Sequence, residues 1–290
     1  LFDGRPSRLV GMMNYLKEML ASRELLVNLT MREVKGKYKR TVFGQLWSLA
    51  NPLALMLIYT FVFSFIIKIE LAPGDPSGLD VFAVWLLCGL LPWIFFANVL
   101  NSGVTSLVSN AGLIQKVSFS RVVLPLSQVA SSAYNWLFEI AVLVVVLSIL
   151  GAFVLPWLPL VVVAMVLLAV FAAGLALMLS IANVYFRDTQ WFLSIVLQLG
   201  MYLSPVIYPV TMVADASAGV GGIWGTPVTI LDLYHLNPMV HFLEVFRTLL
   251  YDNTWPEPMS WLVCLAWAVG ALVVGLWVFR RNEKNLAEAL

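Results

Sequence analysis

Three features of this sequence predict an all-α polytopic membrane protein with six transmembrane helices. Hydrophobic residues make up 61% of the 290-residue chain and charged residues 11%, with a mean hydropathy of +0.91, too apolar for a water-soluble fold of this length. Apolar runs recur along it at the length a helix needs to cross a hydrocarbon core, about twenty residues for ~30 Å. When those runs are threaded as six spans, the Lys and Arg residues fall almost entirely on one side. The expected organisation is a cytoplasmic or interfacial amphipathic helix over residues 1–42, followed by a single transmembrane domain over residues 43–290.

Residues 9–40 alternate Leu9, Met13, Leu16, Leu20, Leu26, Leu29, Val34 and Tyr38 with Lys17, Arg23, Arg32, Lys35, Lys37, Lys39 and Arg40. At helical spacing this is an amphipathic helix along the membrane surface, its basic face toward anionic headgroups; the alternative is a solvated basic tail. Basic residues and the lack of a continuous apolar core over the first 40 residues argue against a cleavable signal peptide.

The first span runs over about 43–67, where Asn51-Pro52 should loosen or kink the helix and Tyr59 and Phe63 continue one face. Pro73, Gly74, Pro76 and Gly78 mark a turn before a second span over about 81–100, which ends in Asn98, Asn101, Ser102 and Thr105. Residues 106–121 are too polar and short to cross, so a short helix touching the cytoplasmic face is expected there. The third span, about 122–150, carries Ser131, Asn135 and Glu139 on one face, with the carboxyl roughly at mid-depth. A charge at such a depth costs about 2.5–3.5 kcal/mol on insertion scales. Glu139 is therefore protonated, paired or beside water. It either gates a pathway or holds two helices together by a hydrogen bond. The fourth span, about 158–185, gathers Ala172, Ala173, Gly174 and Ala176 where another helix can approach closely.

The fifth span, about 188–208, begins at Arg187-Asp188 and stops at Pro205 and Pro209. Trp191, Ser194, Gln198, Tyr202 and Pro205 form a stripe on it that should face protein or a passageway. A flexible SAGVGG portion follows, then an apolar segment over about 228–250 broken at Asn237-Pro238 and carrying Asp232, Glu244 and Arg247. The sixth span is about 259–279. With both termini cytoplasmic, fifteen Lys and Arg lie inside against Lys68 and Arg247 outside. A seventh span over 228–250 would put Arg280-Arg281 outside, so this segment is expected to be a re-entrant helical hairpin between spans five and six.

The chemistry the chain lacks is also informative. No phosphate-binding GxxxxGK[ST] loop, HExxH or GxSxG occurs, and Lys35-Gly36-Lys37-Tyr38 lacks both the glycine spacing and the hydroxyl. Cys88 and Cys264 lie in apolar runs and suit packing; His235 and His241, six apart, suit a surface or interface better than a metal. No metal, catalytic residue or bound cofactor is expected, and no nucleic-acid partner. Glu139 as the one acid within a span is sparse for an ion-coupled carrier.

Four stretches resemble the permease subunit of ABC exporters that carry cell-surface polysaccharide, the group serving O-antigen, teichoic acid and galactan. They are Phe43-Gly44-Gln45-Leu46-Trp47 through Asn51-Pro52-Leu53 to Tyr59; Phe119-Ser120-Arg121 with Leu124-Pro125; Tyr185-Phe186-Arg187-Asp188 through Tyr202-Leu203-Ser204-Pro205-Val206-Ile207-Tyr208-Pro209; and Asn237-Pro238-Met239 with Phe246-Arg247. Their order and spacing cover nearly the whole chain; Ser120, where this group often has proline, touches only local backbone shape.

The resemblance implies a homodimer in the plasma (inner) membrane, paired with two copies of a separate ATP-binding subunit that holds ATP and Mg. A lipid-linked polysaccharide would cross between the permeases, and general similarity within the group points to a galactan. It also implies that the N-terminal helix, through Arg32 and Lys35, and the helix near 109–121, through Asn110, Gln115, Lys116 and Arg121, touch the ATPase. Spans one and five are then expected to line the path, with Trp47, Tyr59, Phe63, Trp191, Gln198 and Tyr202 supplying stacking faces and hydrogen bonds, and with Asn135 and Glu139 as intramembrane polar groups. Aromatic residues at such spacing also serve packing and interface belts. The alternatives are a channel or secondary carrier that needs no ATPase, and a membrane enzyme acting on lipid-linked sugars with Glu139 as its acid.

Overall fold

In hydrocarbon a chain must satisfy its own backbone hydrogen bonds, and the apolar runs of this sequence do so as helices. The computed structural model describes residues 22–66, 68, 73–117, 119–220, 222 and 227–290, and the described residues contain helices and turns but no strand. In chain order the α-helices are α1 (Arg23–Lys37), α2 (Trp47–Thr60), α3 (Phe82–Ser109), α4 (Ala111–Lys116), α5 (Val123–Ile149), α6 (Leu158–Tyr185), α7 (Thr189–Tyr202), α8 (Val210–Val220), α9 (Ile230–His235), α10 (Pro238–Arg247), α11 (Pro258–Asn282) and α12 (Leu286–Ala289). A 3₁₀ turn leads into α2, and π-helical turns follow α2 (Phe61–Ile66) and α10 (Thr248–Asp252).

Among the described residues, five helical stretches are long and apolar enough to cross a membrane: Gly44–Ile66, Phe82–Ser109, Val123–Ile149, Leu155–Tyr185 and Pro258–Asn282. The stretch expected as a fifth span departs from expectation. Its helix α7 has 14 residues and ends at Tyr202, about 21 Å at ~1.5 Å per residue. Pro205 and Pro209 lack the N–H that would continue it, so residues 203–209 leave the helix as a turn. Elsewhere α2 runs through Pro52 and α3 through Pro92 without a break. The helix of the second span also reaches Ser109, nine residues past the expected Leu100, so the short helix expected over 106–121 is reduced to α4. Part of the stretch expected to be flexible is helix α8, which runs to Val220. Of the amphipathic helix expected over 9–40, Arg23–Lys37 is helical, and residues 9–21 lie outside the described residues.

Two apolar clusters hold the bundle together. The larger surrounds α3, of whose most apolar window 83% is buried. Phe95 stacks on Trp136 at 4.1 Å between ring centroids, Trp136 meets Phe246 edge-on at 5.6 Å, and Phe171 stacks on Phe96 and Phe242, each at 5.6 Å. Such pairs contribute roughly 0.5–1.5 kcal/mol each beyond area burial, and in lipid this packing is the main source of helix association. The smaller cluster lies at the basic end of the bundle, where Leu29 of α1, Leu107 of α3, Ile114 of α4, Val122–Leu124, Ile181 of α6, Phe279 of α11 and Leu286 of α12 meet.

The small residues of the fourth span do bring a helix close. Gly174 of α6 faces Ala271, Leu272 and Gly275 of α11 so tightly that a Cβ on either glycine would overlap the other helix's backbone. We expect Gly174→Val to destabilise the fold by at least ~2 kcal/mol, since backbone cannot yield as a side chain does. Gly270→Ala on α11, where an added Cβ meets nothing within 4 Å, should leave stability unchanged or raise it. Thermal unfolding in detergent checks the pair; equal losses would refute the packing argument.

Candidate functional site

The two helices expected to line a path bury few of their residues. Only 6% of the apolar window of Gly44–Ile66 is buried, with Pro52 as the buried residue of α2. On α7, Leu193 and Leu197 face the core while Trp191, Phe192, Ile195, Gln198, Leu199 and Tyr202 are exposed. The six expected path residues divide between these surroundings. Trp47, Trp191, Gln198 and Tyr202 are exposed. Tyr59 and Phe63 are half-buried against the larger cluster, with Phe63 packing on Phe82 at 6.0 Å. Tyr59 and Tyr202 interact with each other, which joins α2 to α7 at one point.

Asn135 and Glu139 are both buried on α5. The Gln45 side-chain amide donates to Asn135 Oδ1 at 2.6 Å, and Asn135 Nδ2 donates to the Ser131 carbonyl at 3.1 Å, so Asn135 ties the turn before α2 to α5. Glu139, one turn on, lies within electrostatic reach of Lys37 and Tyr38 at the end of α1. Burial, reinforced by that carboxyl, raises the pKa of the Tyr38 hydroxyl.

At the basic end the expected ATPase contacts are also divided. Lys35, Gln115 and Lys116 are exposed. Arg32 is committed within the chain, pairing with Glu33 at 2.7 Å and donating to Asn110 Oδ1 at 2.9 Å, which ties α1 to the residue that starts α4. Arg121 is held by the C-terminal segment: its backbone N–H donates to Glu283 Oε1 at 2.8 Å and its guanidinium to the Glu283 carbonyl. Sequence reasoning missed Glu283 because Arg280, Arg281 and Lys284 read as a basic flank that marks the inner side.

A second missed residue is Arg247. It is 7% exposed, on α10, with its guanidinium over the Trp85 ring at 3.6 Å. It donates to the carbonyls of Pro205 and of Val206, the latter at 2.7 Å. Gly89 leaves the room, since a Cβ there would lie 2.6 Å from the guanidinium. Carbonyl dipoles and an aromatic face thus stand where a carboxylate would ordinarily neutralise a buried cation. The same turn is held again by Asn237, which donates to Ser204 Oγ at 2.8 Å, and by Tyr208, whose hydroxyl donates to the Tyr202 carbonyl at 2.6 Å and accepts from Tyr234 at 3.2 Å. The motifs around Pro205 and Arg247 were legible as motifs, but their mutual contact was not.

His235 and His241 lie 5.6 Å apart between ring centroids, with a His241 ring nitrogen 3.0 Å from the His235 carbonyl. Among the described residues no group of three or more His, Cys, Asp or Glu could hold a metal ion.

Two predictions follow from the Arg247 clamp. Arg247→Lys cannot both reach two carbonyls and cover an indole, and Gly89→Val displaces the guanidinium; each should cost about 2–4 kcal/mol and free the turn after α7, read as faster protease cleavage there. Wild-type cleavage in both would refute the clamp. Nearby Asp252 has its carboxyl pKa pushed up to about 6 by burial, with the Arg247 charge opposing. A carboxyl with a higher pKa in the folded than in the unfolded chain holds its proton more tightly when native, so stability falls as pH rises from 3.8 toward 6 and levels off above. Asp252→Asn should therefore raise the unfolding temperature at pH 7.5 and leave it unchanged at pH 3.5, compared by unfolding scans at both.

The family model of the ABC-2 type transporter matches residues 24–251. The O-antigen export system permease protein RfbA of Klebsiella pneumoniae is 30% identical over 92% of this chain and 95% of its own length. The protein of that name from Myxococcus xanthus is 26% identical over 96% of this chain and its full length. The polysialic acid transport protein KpsM of Escherichia coli is 24% identical over 89% and 93%. With its apolar helices and a match of this extent, the chain is a membrane protein of the ABC-2 type transporter family.

Proposed function

We propose that this chain is the permease half of an ATP-driven exporter that moves a lipid-linked cell-surface polysaccharide from the cytoplasmic to the outer side of the plasma (inner) membrane. It works as a homodimer with two copies of a separate ATP-binding subunit, which binds ATP and Mg. The observation that carries this is the near-full-length similarity to proteins named for O-antigen and polysialic acid export, in a chain without a phosphate-binding loop of its own. Residues 188–208 form a sixth crossing, α9 and α10 a re-entrant pair, and the basic end with both termini faces the cytoplasm; fifteen Lys and Arg against two support this orientation.

The path lies between two copies, along α2 and α7. Trp47, Trp191 and Tyr202 offer flat faces to sugar CH groups and Gln198 a hydrogen-bonding amide, while Tyr59 and Phe63 back the path from behind. ATP-driven closure of the partner acts on Lys35, Gln115 and Lys116. The Arg32–Asn110 hydrogen bond makes α1 and α4 move together. The Gln45–Asn135 bond carries that movement to the start of α2, beside Glu139.

Co-purification with the neighbouring ATP-binding protein, followed by ATP hydrolysis with and without lipid-linked glycans, tests this, a galactan being the first glycan to try. Stimulated hydrolysis is the expected result. Absence of any ATPase partner, with transport by the chain alone in liposomes, would replace the exporter by a carrier. Gln198→Leu with Tyr202→Leu should abolish export while assembly stays intact, and wild-type export from that double variant would remove α7 from the path.

A further inference from the structure

A cleft of about 530 Å³ opens between α1, α3 and α5, with no residue of α2 or α7 in its lining. Glu33 and Lys37 of α1, Asn98 and Asn101 of α3, and Gln128 and Ser132 of α5 line it. Its volume falls within the ~300–1,000 Å³ of ordinary small-ligand sites.

The cleft gathers three side-chain amides. Asn110, Asn135, Asn237, Asn253 and Asn282 each bond to protein. Among the described residues, Asn98, Asn101 and Gln128 have no such partner, although all three line one cleft. Each amide offers two donors and an acceptor, which is the complement of neighbouring hydroxyls on a sugar ring.

The charges narrow the ligand further. The cleft carries one acid and one base, Glu33 pairs with Arg32 at 2.7 Å, and Glu139 lies within reach of Lys37. A phosphate or carboxylate site concentrates cations or backbone N–H groups, and this cleft does neither. We propose that the cleft docks the uncharged, hydroxyl-rich glycosyl units of the exported substrate at the junction of α1, α3 and α5, before they reach the path, and favours neutral over acidic glycans. This rests on the export function proposed above. The cleft has no aromatic lining, so hydrogen bonds alone hold the sugar and the affinity is weak.

The test is saturation-transfer NMR on the full chain in nanodiscs of zwitterionic lipid, with three probes that all carry C–H protons: a neutral galactose tetrasaccharide, a sialic acid tetramer and glycerol phosphate. The galactose probe should be saturated at least about threefold more than either anion. Asn101→Leu with Gln128→Leu removes the amides, and Ser132→Trp fills the space. Each should cut that saturation to a third or less, while Leu262→Ala on the exposed face of α11 leaves it unchanged. Elution volume and helicity establish that the variants fold. No saturation in the wild type, saturation in both cleft variants equal to that of the wild type, or a stronger signal from glycerol phosphate would overturn the proposal. Failure of the export function shows itself elsewhere, as a missing ATPase partner, and leaves these binding ratios as they are.

Discussion

The guanidinium of Arg247 is the contact on which the half of this bundle away from its basic end depends. It is buried on a tryptophan face and bonded to two successive backbone carbonyls, so three chain segments far apart in sequence meet at one planar group. Buried cations are costly, and this one is tolerated because carbonyls freed by the end of α7 need donors as much as the cation needs acceptors. Pro205 makes that exchange possible. A helix that ran on would have kept those carbonyls for its own ladder.

The basic end is built differently and serves a different purpose. There an apolar cluster draws α1, α4, α12 and the ends of α3, α5, α6 and α11 into one body, trimmed by Arg32–Asn110 and Arg121–Glu283. Packed interiors transmit displacement because they have little free volume to absorb it. By contrast α2 and α7 leave most of their surface outside either cluster, α7 entering the larger one through Leu193 and Leu197.

Sequence made the architecture legible where hydropathy alone decides it. The third, fourth and sixth spans match α5, α6 and α11 to within a few residues, and the close crossing expected at Gly174 is present. It failed where polar residues sit inside helices. Asn98 to Thr105 read as the end of a span, yet the helix continues, with its serine and threonine hydroxyls satisfied by carbonyls of the preceding turn. Helix α8 hid behind Asp215, Ser217 and Gly219. The inward packing of Tyr59 and Phe63 depends on the rotation of α2 about its axis, which spacing along a nearly all-apolar helix does not determine. Arg247 and Glu283 act through partners 41 and 162 residues away, and one chain carries no signal of such pairings.

Exposure of α2 and α7 is not by itself a sign of a path. In a bilayer an exposed leucine or phenylalanine meets lipid as apolar as itself, so bare apolar helices need no partner. The discriminating side chain is Gln198. The hydroxyl of Ser194, a turn away on the same stripe, is satisfied by the carbonyl of Trp191 at 2.7 Å, so that residue could face hydrocarbon. Gln198 is exposed within α7 and its amide has no hydrogen-bond partner among the described residues. Left in lipid, it would cost several kcal/mol, because nothing there can pair with it. A helix whose other exposed residues suit lipid is thus turned toward water, sugar or a second protein by one amide.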